Sequence, residues 1–377
     1  MKLKIIKHFI FIATLVLLSS CNSDKIDKKK MEKSSCFYVG TYTNGSSEGI
    51  YKYKLSENGK LDSVGLVAKS NNPSFLTLSK DNKYLLCCNE VNSVDGKGTV
   101  ESYRIGKDSL EFVSRSSSGG AHPCFVTTNN DNVVLVANYT GGNVGLLKLK
   151  NKGCLSKLLD LQQHTAKNIS ERQDKAHAHS SWFIPGTDNK IVSVDLGTNE
   201  LIFSEIIDEG SKFSTDKKVL TMVPGSGPRH LAIHKKGWMY VVNELNSTVT
   251  QVVKNSKNEY EIEASISTLP SNFEGDSFCG DIHISLDGKF LYVSNRGHNS
   301  IAVFKINQGN GELSTVSFHN VKGSWPRNFT LSKNGNFLLV ANQKTNNIVS
   351  FKVNKENGEL TFVDEINAPI PVCLVFE

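Results

Sequence analysis

A related segment recurs seven times along the chain, and no other feature limits the fold so tightly. PSFLTLSKDNKYLLCCNE starts at Pro73, PCFVTTNNDNVVLVANY at Pro123, HSSWFIPGTDNKIVSVDL at His179 and PRHLAIHKKGWMYVVNEL at Pro228. GDIHISLDGKFLYVSNRG follows from Gly280, PRNFTLSKNGNFLLVANQ from Pro326 and PVCLVFE from Pro371. Successive starts lie 45 to 56 residues apart. Each unit reads as an apolar strand, a turn of the Asp/Asn-Gly-Lys kind, and a second strand rich in Val, Leu and Tyr that closes on Asn or Asp. Two weaker strands fill the interval, as in 301–318 and 348–365, which again turn at Asn-Gly. Four strands at this period describe a β-propeller blade. No segment sustains the i, i+3, i+4 pattern of a long helix.

The last unit supplies one strand and then the chain stops. Its complement is expected at the other end, where residues 36–66 read as the second, third and fourth strands of a blade lacking its first. Joining the two hides edge strands that would otherwise invite association. The prediction is an all-β, seven-bladed β-propeller over residues 36–377, closed by pairing of the N- and C-terminal strands in one blade.

The residues before it are predicted to lie outside any fold. Lys2, Lys4 and Lys7 precede an apolar run over 9–18 that is too short to span a bilayer. Leu18-Ser19-Ser20-Cys21 then resembles a bacterial lipobox, so residues 1–20 are expected to be a lipoprotein signal peptide and Cys21 the lipidated mature N-terminus. Residues 21–35 follow as a charged, flexible tether. This predicts an exported lipoprotein on the periplasmic side or the cell surface, touching membrane only through its lipid. The chain carries a formal charge of +6, but the leader and tether hold most of it and leave the body near +1. Nucleic acid is therefore excluded as a partner. Eight cysteines, less Cys21, leave an odd number, with no CxxC or Cys/His metal spacing. Nothing in the pattern specifies an oligomer.

In such a blade the first two strands run antiparallel, so first-strand starts and second-strand ends lie on one face around the central channel. Sorting unusual residues by this rule gathers His122, His177, His179, Arg229, His230 and Arg327 from the starts. Glu90, Asn138, Asp195, Glu244, Arg296 and Gln343 come from the ends. Terminal Asn side chains are expected to bond their own turns, which accounts for Asn89, Asn243, Asn295 and Asn342. Arg229, Glu244, Arg296 and His179 depart from the repeat at their slots. Together they offer fixed cations, a carboxylate and an imidazole, the parts needed to bind an anion and move a proton. An ion-pair network locking blades together is the structural alternative. His234 and His283 fall inside first strands, where core histidines are expected, with a channel-lining place open to His283.

The stretches YVGTYTNGSSEGIYKYKL, HPCFVTTN, VANYTGGNV, HAHSSWFIP, GPRHLAIHKKGWMYVVNELNSTVT, DIHISLDGKFLYVSNRGHNSIAVF and WPRNFTLSKNGNFLLVANQ resemble the bacterial lactonase family of seven-bladed propellers, typified by the propeller-type 6-phosphogluconolactonase. The resemblance runs from about Cys36 to the C-terminus. It implies hydrolysis of a sugar δ-lactone, 6-phosphogluconolactone in the best-known members, without metal or cofactor. The family is also similar to a fungal muconate-lactonizing enzyme with a proposed histidine, two arginines and a glutamate. Carried over, these imply His179 in HAHS, Arg229 in GPRH, Glu244 in VVNEL and Arg296 in SNRG as catalytic. His177, Asn138, His283 and Arg327 are expected as substrate contacts, His177 also replacing His179 if the register shifts. Glu244 and His179 both stand as candidate bases. The rival expectations are a lipid-anchored binding platform, a muconate-type lactonizing or cycloisomerase enzyme, and a calcium-dependent lactonase, for which no acidic motif is present.

Overall fold

The repeated hairpin forms because its turn is held by side chains as well as backbone. Ser79 Oγ donates to Asp81 Oδ1 at 2.7 Å and accepts from the Tyr84 N–H at 3.0 Å. The same arrangement recurs at Ser285, Asp287 and Phe290 (2.7 and 2.9 Å) and at Ser332, Asn334 and Phe337 (2.8 and 3.0 Å). The next turn position takes a positive φ, 55° at Asn82, 78° at Gly288 and 67° at Gly335, which explains the Asn or Gly there.

A computed structural model of the chain describes residues 34–165, 169–187 and 189–377. The expected leader, Cys21 and most of the tether lie outside the described residues. Within these, the strands form seven antiparallel sheets. The innermost strands are Pro73–Leu78, Pro123–Thr128, Ala178–Phe183, Pro228–Ile233, Phe278–Ile284, Pro326–Leu331 and Pro371–Phe376. Each packs against the next, and Pro371–Phe376 packs against Pro73–Leu78, so the ring is closed. The closing sheet runs Pro371–Phe376, Ser35–Thr41, Gly49–Leu55, Leu61–Lys69, with Phe37 opposite Phe376 and Val39 opposite Leu374. One blade departs from four strands. Beyond Glu200–Ile207 the outer edge is split between Lys212–Phe213 and Lys218–Thr221, because a 3-10 turn at Asp208–Gly210 with positive φ at Asp208 and Glu209 breaks the run.

The cores lie between blades rather than within them. At the closure seam Phe37, Val39, Tyr53, Leu55, Leu374 and Phe376 meet Phe337, Leu339, Ala341 and Ile348 of the preceding blade. Around the axis, polar bonds pass from one innermost strand to the next. Ser180 Oγ donates to Arg229 O (2.9 Å), His230 Nδ1 to Asp281 Oδ1 (2.8 Å), Asn328 Nδ2 to Asp281 Oδ2 (2.5 Å) and the Leu374 N–H to Asn328 Oδ1 (2.7 Å). The seven cysteines of the described residues are all free thiols.

Because Phe37 is fully buried at the seam, stacked on Tyr53 and tilted against Phe376 of its own sheet, Phe37→Ala is expected to cost about 3–5 kcal/mol in denaturant unfolding. An equivalent truncation of exposed Phe362 (45%) is expected to cost much less.

Candidate active site

Two repeated positions build the site. The first is a β-bulge. Pro73 pairs with Asn89 and Phe75 with Cys88, which leaves Ser74 unpaired. The same shift leaves Cys124, His179, Arg229 and Arg327 as the extra residue of their strands. A bulge re-aims a side chain that a regular ladder would turn between the blades. The second position follows the Asn, or Thr41 in the closing blade, near the end of the neighbouring strand: Tyr42, Glu90, Tyr139, Glu244, Arg296 and Gln343. Residues from both positions line one axial pit of about 390 Å³, together with Arg172, Phe278 and Trp325. That volume suits a small metabolite.

Glycine flanks the two arginine motifs for steric reasons. Gly227 before Pro228-Arg229 has φ +60°, and a Cβ there would meet Leu245 Cγ at 2.4 Å. Gly297 after Arg296 has φ +111°, with Asp276 O 2.2 Å from an added Cβ. Trp325 holds a φ of 66° at the rim, rare for a bulky residue, and its ring lies 5.6 Å from the Arg296 guanidinium and 3.5 Å from Lys344 Nζ.

Glu244 is the hub. Its Oε1 accepts from Arg172 Nη2 at 2.9 Å, and its Oε2 lies 3.2 Å from Arg229 Nη1 and 2.8 Å from Arg296 Nη2. Burial works against the charge, yet Arg296, Arg229 and Arg172 outweigh it and hold the carboxyl well below the usual carboxylate range. Arg229 also donates from Nε to Gly280 O at 2.5 Å, and Arg296 from Nη2 to Cys279 O at 2.7 Å, so the chain fixes both guanidinium planes. Burial, then neighbouring Arg296, lowers Arg229 to about 10, which leaves it charged at neutral pH. The His179 ring contacts the Arg229 guanidinium, stands edge-on to Tyr139 at 5.3 Å, and has Nδ1 3.5 Å from Cys124 Sγ. Burial, then Arg229 and His230, keeps the imidazole neutral.

Across the pit, Tyr42 donates its hydroxyl to Glu90 Oε2 at 2.8 Å. Arg327 lies over the Tyr42 ring at 5.1 Å and 3.7 Å from the same oxygen. The pit wall thus carries four arginines against two glutamates. Buried cations in excess call for an anion.

His179, Arg229, Glu244, Arg296 and Arg327 therefore meet in one cavity. Glu90 and Gln343 of the sorted rim residues line it as well, whereas the other expected substrate contacts, Asn138, His177 and His283, do not. Asn138 is fully buried and donates to Ser118 O (2.9 Å) and Asn143 Oδ1 (2.8 Å), which spends both N–H groups of its amide on the turn and the neighbouring strand. His177 stacks behind Tyr139 at 4.4 Å and bonds Tyr139 O and Asp174. His283 lies further down its strand, paired with Asp281 Oδ2 at 3.0 Å and edge-on to Phe329, and His230 sits below the pit on Asp281. The bulge explains the first divergence: it turns residue 179 toward the axis and leaves 177 outside the strand. Sequence reasoning missed Tyr42, Cys124, Tyr139, Phe278, Trp325 and Arg172. The first three occupy repeat slots that a stricter alignment of units identifies, whereas Arg172 stands in an inter-blade segment with no repeat signal. Among the described residues no group of three or more His, Cys, Asp or Glu side chains is placed to hold a metal ion.

Fold and pit together define a propeller enzyme with an arginine-rich axial site. The family model "Lactonase, 7-bladed beta-propeller" matches residues 36–376. A 6-phosphogluconolactonase of Bacillus subtilis (strain 168) is 38% identical over 298 residues, 78% of this chain and 83% of its own length. A periplasmic gluconolactonase of Pseudomonas aeruginosa superposes with a TM-score of 0.84 at 29% identity, covering 91% of this chain and 99% of that one. A Bacteroides fragilis (NCTC 9343) structure gives 0.84 at 32% identity, covering 93% and 100%. The chain belongs to the seven-bladed β-propeller lactonase family, and it is a lactonase.

Burial lowers His230 to about 4, against the pull of Asp281. The unfolded chain, with a histidine near 6.5, takes up this proton first, so the contribution is intact above that pH and is lost as pH falls from about 6.5 to 4. Buried neutral His179 acts in the same direction. Chemical denaturation is expected to show stability falling by on the order of 3 kcal/mol over that window, with a shallower fall in His230→Gln.

Proposed function

We propose that the chain hydrolyses a sugar δ-lactone of the 6-phosphogluconolactone type with its own side chains and no metal. The surplus of arginine over glutamate in the pit carries this reading. A lactone is an activated ester, so positioning and charge stabilisation do most of the work. Water adds to the ring carbonyl, and the oxyanion is met by N–H groups of Arg229 and Arg296 that Glu244 and the backbone leave over. Glu244 holds both guanidiniums in place and needs no reorganisation as charge develops. The neutral His179 ring packs against Arg229 and bounds the reacting end. Arg172, half-exposed at 50%, and Lys344 beside Trp325 stand at the mouth, where a distal phosphate meets them.

A second reading, opening of unphosphorylated sugar lactones outside the cytoplasm, is favoured by the Leu18-Ser19-Ser20-Cys21 leader and by the gluconolactonase named periplasmic. On that reading the protein is an exported lipoprotein anchored through Cys21. Radiolabelled palmitate incorporation, lost in Cys21→Ala, tests the anchor.

Rates on phosphorylated and plain gluconolactone, corrected for spontaneous opening, decide between substrates. A kcat/KM about tenfold or more higher on the phosphorylated lactone is expected, with the preference collapsing in Arg172→Ala and Lys344→Ala; equal rates assign the plain lactone. Arg296→Gln is expected to lower kcat/KM on either lactone by about 10²–10³-fold, and a chelator to leave wild-type turnover unchanged. Absence of turnover on both lactones supports a binding platform instead.

A further inference from the structure

Lactone opening needs an acceptor for the proton of the attacking water, and the pit contains several groups that cannot serve. Both Glu244 oxygens are already taken, one by Arg172 and the other by Arg229 and Arg296. A carboxylate so loaded is stabilised as the anion and has lost its affinity for a proton. His179 faces the Arg229 guanidinium from both ring nitrogens, at 3.3 Å for Nδ1 and closer for Nε2, so protonation there sets a second cation against a buried one. Burial pushes the Cys124 thiol and the Tyr42 and Tyr139 phenols up, which keeps all three protonated.

Glu90 differs from each of these. It follows Asn89 in the slot that Glu244 fills in its own blade, three blades round the ring, so the two carboxylates come from opposite sides of the axis. Its N–H donates to Asn72 O at 2.9 Å, which pins the main chain. Oε2 accepts from Tyr42, whose ring is held under Arg327. Arg327 approaches only to 3.7 Å and makes no hydrogen bond to the carboxylate. Oε1 has no partner among the described residues, and the side chain lines the pit. An acceptor with one open oxygen, oriented through the other by a third group, has the arrangement of a general base.

We propose that Glu90 is the general base that activates water for lactone opening, a role that rests on the lactonase reading above. Glu90 Oε1 takes a proton from water as the water oxygen bonds to the lactone carbonyl carbon, and the oxyanion forms on the Arg229 and Arg296 side. The ring C–O bond then breaks with its electron pair on the ring oxygen, and the proton held by Glu90 passes to that oxygen as the new hydroxyl. That transfer returns Glu90 to the carboxylate, and the carboxylic acid product then loses its own proton to solvent. Glu244 keeps its charge throughout and acts as the anchor for the arginines.

The test uses the full chain and whichever gluconolactone the wild type opens. Glu90→Gln is expected to lower kcat by about 10²–10⁴-fold with KM within about threefold, while calorimetric binding of the aldonate product is retained. In Glu90→Ala, added formate is expected to restore turnover by about tenfold or more, as a small carboxylate fills the vacated place; Glu244→Ala gains nothing from formate. Tyr42→Phe, which removes only the orienting hydroxyl, is expected to lower kcat by about tenfold, and supplies the answer if the Glu90 variants fail to fold. Turnover in Glu90→Gln within about threefold of wild type, or formate rescue of Glu244→Ala instead, overturns the proposal while leaving the lactonase reading intact. A wild-type protein that opens no lactone removes that reading first.

Discussion

Antiparallel pairing of Pro371–Phe376 with Ser35–Thr41 is the contact on which everything else rests. A blade is a small twisted sheet with two faces to cover, and it covers them with its neighbours. Until the last strand is in place, one blade lacks its axial strand and two faces lack a partner. Once it is there, each innermost strand has a neighbour on both sides and the seven cores form a continuous belt. The polar ladder from His230 through Asp281 and Asn328 to Leu374 depends on the same closure, since its final bond reaches the C-terminal strand.

That rigidity permits an otherwise unfavourable site. Arg229, Arg296 and Glu244 are all buried, and guanidiniums taken out of water are costly unless their hydrogen bonds are met. The fold meets them with fixed acceptors: Gly280 O for Arg229, Cys279 O for Arg296, and one carboxylate shared by three arginines. Repulsion among the cations is offset within a frame whose hydrophobic seams lie elsewhere. What remains is a pit with positive charge in surplus on one side and a Tyr42-oriented carboxylate on the other. Such asymmetry separates the stabilising of a developing oxyanion from the handling of a proton.

Much of the fold was legible because a repeat carries its own alignment. Ser79-Asp81, Ser285-Asp287 and Ser332-Asn334 mark the same turn, and terminal Asn residues mark the same strand end, so the hairpins could be phased without coordinates. The split outer edge after Ile207 was hidden, since outer strands are amphipathic and weakly patterned. In the site, residues that break the repeat at its own slots, such as Arg229 and Glu244, stood out. Tyr42, Tyr139 and Cys124 did not, because an aromatic or a cysteine beside a strand looks like core. Asn138 and His177 were equally eligible in the sequence, and the bulge and the inter-blade bonds take up their N–H groups and, for His177, the ring's contacts outside the pit.

By itself, the amino-acid sequence determined blade number, closure and the set of charged residues placed near one rim, since these follow from periodicity and strand direction, which are local properties. Tertiary structure alone decided which side chains face the axis and how they divide the work. In four innermost strands a single bulged residue, Cys124, His179, Arg229 or Arg327, turns its side chain into the pit, and hydrogen bonds between distant blades then fix which donors and acceptors are already occupied. Glu90 and Glu244 occupy equivalent slots in the repeat, yet one has an open oxygen and the other is saturated by arginine, because Arg172, Arg229 and Arg296 converge on only one of them.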